Sequence, residues 1–112
     1  MLDKVGAGLE RYMDFVALRQ RTVASNIANA ETPSYHTRDI DFASEMRSAI
    51  DGHPPEVIEP AGLIEKSDGN NVSLDREMRL LSENAIRFQI ASSLLKTQIR
   101  EMKIAIQEGK NS

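Results

Sequence analysis

Cysteine is absent from the 112 residues of this chain, and with it go disulfides, thiolate metal sites and thiol nucleophiles. Tryptophan is absent too, and aromatic residues make up only 4% of the sequence. That is too few for stacking platforms or large enclosed pockets. No apolar run approaches the roughly 20 residues of a membrane-crossing helix. The first residues, Met1-Leu2-Asp3-Lys4-Val5-Gly6, show neither the charged start nor the apolar core of a cleaved leader. Such a chain, if it leaves the cytoplasm, is expected to use a route that reads another signal. Charge of one sign is also missing. The net charge is −3, and Lys4, Arg11, Arg19, Arg21 and Arg38 are dispersed without forming a basic stripe, which argues against nucleic-acid binding.

Proline is missing from both ends, and there the apolar residues are periodic. Over 1–30, Leu2, Leu9, Val16, Val23 and Ala30 fall on one heptad position, with Gly6, Met13, Gln20 and Ile27 on the other. Over 73–108, Leu74, Leu81, Phe88, Leu95 and Met102 alternate with Met78, Ala85, Ser92, Ile99 and Ile106. Ser73 is positioned to cap this second helix, Asp75 and Glu77 suit the positive end of its dipole, and Gly109 is positioned to stop it. The spacing predicts an all-α fold, with long N- and C-terminal helices packed as an antiparallel coiled-coil hairpin.

Residues 31–72 hold all four prolines and read as an irregular connection. It contains one short helix near 41–51, with Phe42, Met46 and Ile50 as its stripe, Asp41 as its cap, and Gly52 and Pro54 as its end. Pro55–Pro60 reads as extended chain, a short edge strand. Chemistry is sparse throughout. Asp39 and Asp41 form a D-x-D without further metal ligands, and His36 and His53 lack ligand or triad spacing. Asp68-Gly69-Asn70-Asn71 is a turn with only half of a calcium-loop pattern. No catalytic residue, metal or cofactor is expected.

Several apolar side chains fall off the seams: Phe15 and Leu18 on the first helix, and Leu80, Ile86, Ile90, Leu94 and Ile104 on the second. Helices apolar on a second face are buried in something larger. Two seams alone bury too little to order two helices of this length, so packing against other chains is expected.

The run Ser25-Asn26-Ile27-Ala28-Asn29-Ala30-Glu31-Thr32-Pro33-Ser34-Tyr35 reads physically as a helix terminator. Pro33 pushes Thr32 out of the helical region, and Asn29 can satisfy free carbonyls. The run also resembles the N-terminal signature of the bacterial flagellar rod, hook and hook-cap axial proteins, a pattern close to S-N-I-A-N-x-x-T-P-G-Y. The tract Asp68-Gly69-Asn70-Asn71-Val72, followed by Glu77-Met78, resembles the D-G-N-N-V-x-x-x-x-E-M of that family's proximal rod branch. Arg38-Asp39-Ile40-Asp41-Phe42, Glu83-Asn84-Ala85 and Gln98-Ile99-Arg100 point the same way. One departure is Ser34 where the family carries glycine. The turn is then either type I or modestly strained, because a type II turn needs a positive φ there.

The resemblance implies a structural subunit of the flagellar rod, exported without a cleaved signal and located on the periplasmic side of the envelope. Implied partners are other copies of itself, the rod protein FlgC, the adaptor protein FliE and the membrane ring, with the flagellar type III export apparatus in transit. No nucleic acid or small-molecule substrate is implied. Two rivals stand beside it: another rod protein such as FlgC, and a soluble regulatory coiled-coil module binding one partner helix. The module would form a stable dimer and would not depend on residues 26–35.

Overall fold

The computed structural model describes residues 2–47 and 54–111. Five elements follow in order: α1 (Leu2–Ala28), β1 (Asp39–Ile40), α2 (Phe42–Arg47), β2 (Val57–Ile58) and α3 (Leu74–Asn111). The two long helices run antiparallel: Gln20 of α1 reaches the carbonyl of Leu81, while Gly6 and Ala7 lie beside Leu95 and Met102. The molecule is rod-like, 71 × 27 × 17 Å.

Each helix begins and ends for local reasons. Ser73 Oγ accepts from the Arg76 N–H at 3.2 Å, a side-chain cap on α3. Asp41 caps α2 in the same way, accepting from Ser44 N–H at 3.2 Å. At the end of α1, Asn29 Nδ2 donates to Ser25 O at 2.9 Å, and the chain tightens into successive short turns before Pro33. Gly109 lies inside α3 and does not stop it, since a single exposed glycine costs a helix only about 1 kcal/mol. Ile50 and Gly52, expected to finish the short helix, and His53 lie outside the described residues.

The connecting region carries two strands where one was expected. β1 and β2 pair antiparallel, Asp39 opposite Ile58 and Ile40 opposite Val57. α2 sits on α1 through Phe42, whose ring meets Tyr12 at 5.3 Å and Phe15 at 6.1 Å, both edge-on. Phe15 is therefore buried within the chain, and Arg11 lies 4.8 Å from its ring centroid. That corrects the expectation that Phe15 lies on an uncovered second face.

The face of α3 turned to α1 is also not the most apolar one. Glu77, Leu80, Asn84 and Ala91 are buried, spaced three, four and seven apart. Leu80, placed off the seam by heptad reading, belongs to the contact. Two polar residues interrupt this stripe, so a search for apolar periodicity selects the neighbouring face instead.

Candidate functional site: a buried polar clasp and two apolar flanks

The two sequence motifs meet at the closed end of the hairpin. Asn26, in the last turn of α1, is fully buried, with no exposed surface. Its amide makes every hydrogen bond it has to offer. Nδ2 donates to Arg38 O at 2.8 Å and to Glu77 Oε1, while Oδ1 accepts from Tyr35 OH at 2.9 Å and Arg38 N–H at 3.1 Å. The side chain thus pairs with the backbone of Arg38 as a neighbouring strand would, and it hands its last proton to the first turn of α3.

The second motif returns the favour. Asn70 is also fully buried. Its Nδ2 donates to Asn29 O at 2.9 Å and Thr32 O at 2.8 Å, a second bond to two carbonyls that also accept from the Thr32 and Tyr35 N–H groups in the turns after α1. Lys66 Nζ adds a cationic contact to Ala30 O at 3.1 Å. Asn71 Oδ1 accepts from Thr37 N–H at 2.6 Å, and Val72 N–H donates to Asn70 Oδ1. The second motif therefore binds the turns that follow α1, while the first holds the Glu77 side chain of α3.

An ionic chain extends the clasp. Arg76 joins Glu77 Oε2 at 2.6 Å to Asp39 Oδ2 at 2.5 Å, and Arg19 holds both oxygens of Asp39 at 2.9 and 3.0 Å. Burial pushes the Asp39 carboxyl upward, but hydrogen bonds from Arg19, the Ile40 N–H and Arg76 outweigh it, so Asp39 titrates below the ordinary carboxylate range. Burial likewise works against the Arg76 charge, and its bonds to Asp39 and Glu77 more than restore it. Because folded Asp39 binds its proton more weakly than unfolded Asp39, its contribution is complete above about pH 4 and fades as pH falls through the lower folded value. The urea midpoint of the protein is expected to drop as pH falls below about 4. Asp39→Asn should start lower at neutral pH and vary less over that window, and an unchanged pH slope would contradict the assignment.

The tight packing of the motifs has one strained point. Ser34 has φ 63° and Gly69 φ 84°. The Ser34 N–H donates to Asp68 O at 2.9 Å, and a Cβ on Gly69 would lie 3.3 Å from Ser34 Cα. The turn at Pro33-Ser34 therefore takes the positive-φ conformation that glycine prefers. Ser34→Gly is expected to raise stability by about 0.5–1 kcal/mol, offset in part by a looser unfolded chain. Gly69→Ala should lower it by more than that. Equilibrium denaturation of both variants checks the pair.

Beyond the clasp the hairpin is thin. Val16 and Val23 are buried, and Leu9, Met13, Leu18, Ile27, Leu81 and Leu95 are half-buried. Leu74, Met78, Ala85, Phe88, Ile99, Met102 and Ile106 are exposed, as are Ile86, Ile90 and Leu94. On one flank a groove of about 470 Å³ runs between the helices, lined by Val16, Ala17, Gln20, Arg21, Asn84, Ala85 and Phe88. On the other, Leu9 and Tyr12 face Ile90 and Leu94. Of the motif residues, Asn26, Asn70, Asn71 and Val72 are buried and Ile27, Asn29, Tyr35 and Gly69 half-buried, whereas Ser25, Ala28, Thr32, Pro33 and Asp68 are exposed. Sequence reading missed Arg19, Asp39, Arg76 and Glu77 as members of one network. Its signals were the family-like tract that holds Asp39 and the offset of Glu77 from Asn71 in the second motif.

A hairpin closed by a polar clasp at one end, with uncovered apolar flanks along its length, defines a helical assembly subunit. No family model matches the chain. It is similar to the flagellar basal body rod protein FlgB of Escherichia coli K12, 33% identical over 97% of this chain and 99% of that protein. The FlgB of Salmonella typhimurium is 30% identical over 97% of this chain and 99% of its own length. That of Borrelia hermsii is 26% identical over 86% and 90%. The chain belongs to the family of flagellar basal body rod proteins FlgB.

Proposed function

We infer that this chain is a structural subunit of the flagellar basal body rod, working by helix packing and carrying out no reaction. The observation that supports the mechanism is the length of apolar surface left open on α3, where Ile86, Ile90, Ile104 and Ile106 are each more than half exposed. A single chain gains nothing from such a surface, and an assembled one buries it. The clasp fixes the register of α1 against α3, so that every copy presents the same two flanks. A contact between unlike flanks, repeated with a screw rotation, builds a tube and not a closed pair. The exposed positions of the heptad seam, from Leu74 to Ile106, then serve as contacts between subunits.

The neighbours in this reading are further copies of the chain, FlgC, the adaptor FliE and the membrane ring, on the periplasmic side of the envelope. The type III export apparatus delivers the chain without cleaving a signal. Fractionation of cells provides the test. Isolated basal bodies are expected to carry the chain through detergent and alkaline washes. A chain recovered instead as a soluble dimer would replace this reading with that of a regulatory module.

A further inference from the structure

The second half of α3 sorts its charges by side. Lys96, Lys103 and Lys110 recur every seven residues, and so do Glu101 and Glu108. At about 100° per residue, the two rows lie roughly 140° apart around the helix. The lysines border the flank that carries Ala85 and Ile99, and the glutamates border the one that carries Ile90 and Leu94. All five charged side chains are exposed, and none forms an ion pair among the described residues.

Nothing within the chain uses this order. No lysine of the row has a carboxylate three or four residues away, and neither glutamate has a cation there, the spacing at which pairs support a helix. Lys96 and Lys103 instead have Arg100 at that distance, of like charge. Glu108 stands in the last turn of α3, where the helix dipole disfavours a carboxylate. Glu10 of α1 lies beside Ile99 and pairs with none of the lysines. Apolar flanks bordered by opposite charges at heptad spacing are the pattern that joins helices of separate chains.

Copies related by a screw rotation about a tube that α3 follows have their α3 helices running in one direction. In that orientation a shift of five residues, about 7.5 Å, sets Lys96 against Glu101 of the neighbour and Lys103 against Glu108. The same shift sets Ala85 against Ile90. A shift of two residues the other way also meets both glutamates, but it sets Ala85 against Glu83 and Lys96 against Leu94.

We propose that the lysine-bordered flank of α3 receives the glutamate-bordered flank of a second copy, with Lys96 on Glu101 and Lys103 on Glu108. This contact deepens the rod-subunit reading and rests on it. The apolar surfaces supply the adhesion and select the five-residue shift. The charges decide which flank meets which, because two like flanks repel.

Charge reversal tests the pairing in cells whose only copy is the variant. Lys96→Glu with Lys103→Glu should cut the swimming fraction by roughly tenfold or more, and Glu101→Lys with Glu108→Lys should do the same. All four substitutions together should restore swimming. Full swimming by either pair overturns the inference, as does failure of the quadruple variant with wild-type circular dichroism. So does rescue of the Lys96→Glu, Lys103→Glu pair by Asp14→Lys with Glu31→Lys, exposed positions elsewhere that restore only the net charge. A second measurement needs no variant. Carbodiimide coupling of wild-type basal bodies is expected to join Lys96 to Glu101, or Lys103 to Glu108, between two copies, read by mass spectrometry. No such link, or links only to another protein, overturns the contact and leaves the rod reading standing. Absence of the chain from basal bodies overturns the rod reading itself.

Discussion

Glu77→Ala is expected to destabilise the free protein by about 3–5 kcal/mol, the usual cost of removing one partner from a buried ionic pair. The carboxylate has no exposed surface and joins Asn26 of α1 directly to the Arg76–Asp39–Arg19 chain. Its loss leaves a donor of Asn26 buried without an acceptor and takes one of two carboxylate partners from the half-buried Arg76. A domain of this size has only about 5–15 kcal/mol in total, so the variant should be largely unfolded well below the wild-type urea midpoint. Glu77→Gln keeps an acceptor for Asn26 but turns an amide N–H₂ toward Arg76, and should fall between. Circular dichroism in urea at neutral pH reads all three. A Glu77→Ala midpoint within experimental scatter of wild type would remove the clasp from the account of stability.

Ile90→Lys with Leu94→Lys is expected to do the opposite: leave folding alone and abolish the rod. Both side chains are more than half exposed in the single chain, so the charged heads reach water there and stability should change by less than about 1 kcal/mol. In an assembly that covers this ridge, two buried ammonium groups without partners would each cost several kcal/mol. The variant should have wild-type helix content and midpoint yet give non-motile cells without rods. Leu81→Ser with Leu95→Ser, at half-buried positions, should damage both folding and assembly. Normal swimming by the lysine pair would show that this flank stays open in the rod.

What could be read from the sequence was what is decided locally. The helices declare themselves by apolar period and freedom from proline, and Ser73, Asp41 and Asn29 cap the elements that they adjoin. The contact face of α3 escaped because Glu77 and Asn84 are polar, and polarity in a buried stripe looks like solvent. Phe15 seemed unpartnered because its cover, Phe42, arrives from a segment whose path no periodicity describes. The clasp escaped for a related reason. Asn26 is a satisfied amide only because Tyr35 and Arg38 from the connection and Glu77 from α3 converge on it, and no one segment's pattern records that meeting.

The bond from Asn26 to Glu77 spans 51 positions of sequence, and that separation has a kinetic meaning. Turns of α1 and α3 form in about a microsecond or less, but nothing joins them until a long, proline-bearing loop has closed. The entropy of that closure is lost before any of the clasp's hydrogen bonds compensate for it. Folding of the free chain is therefore limited by an encounter between distant segments, and stretching the chain from its ends undoes that encounter before it melts either helix. For as long as its ends are held apart, the molecule has helices but no hairpin.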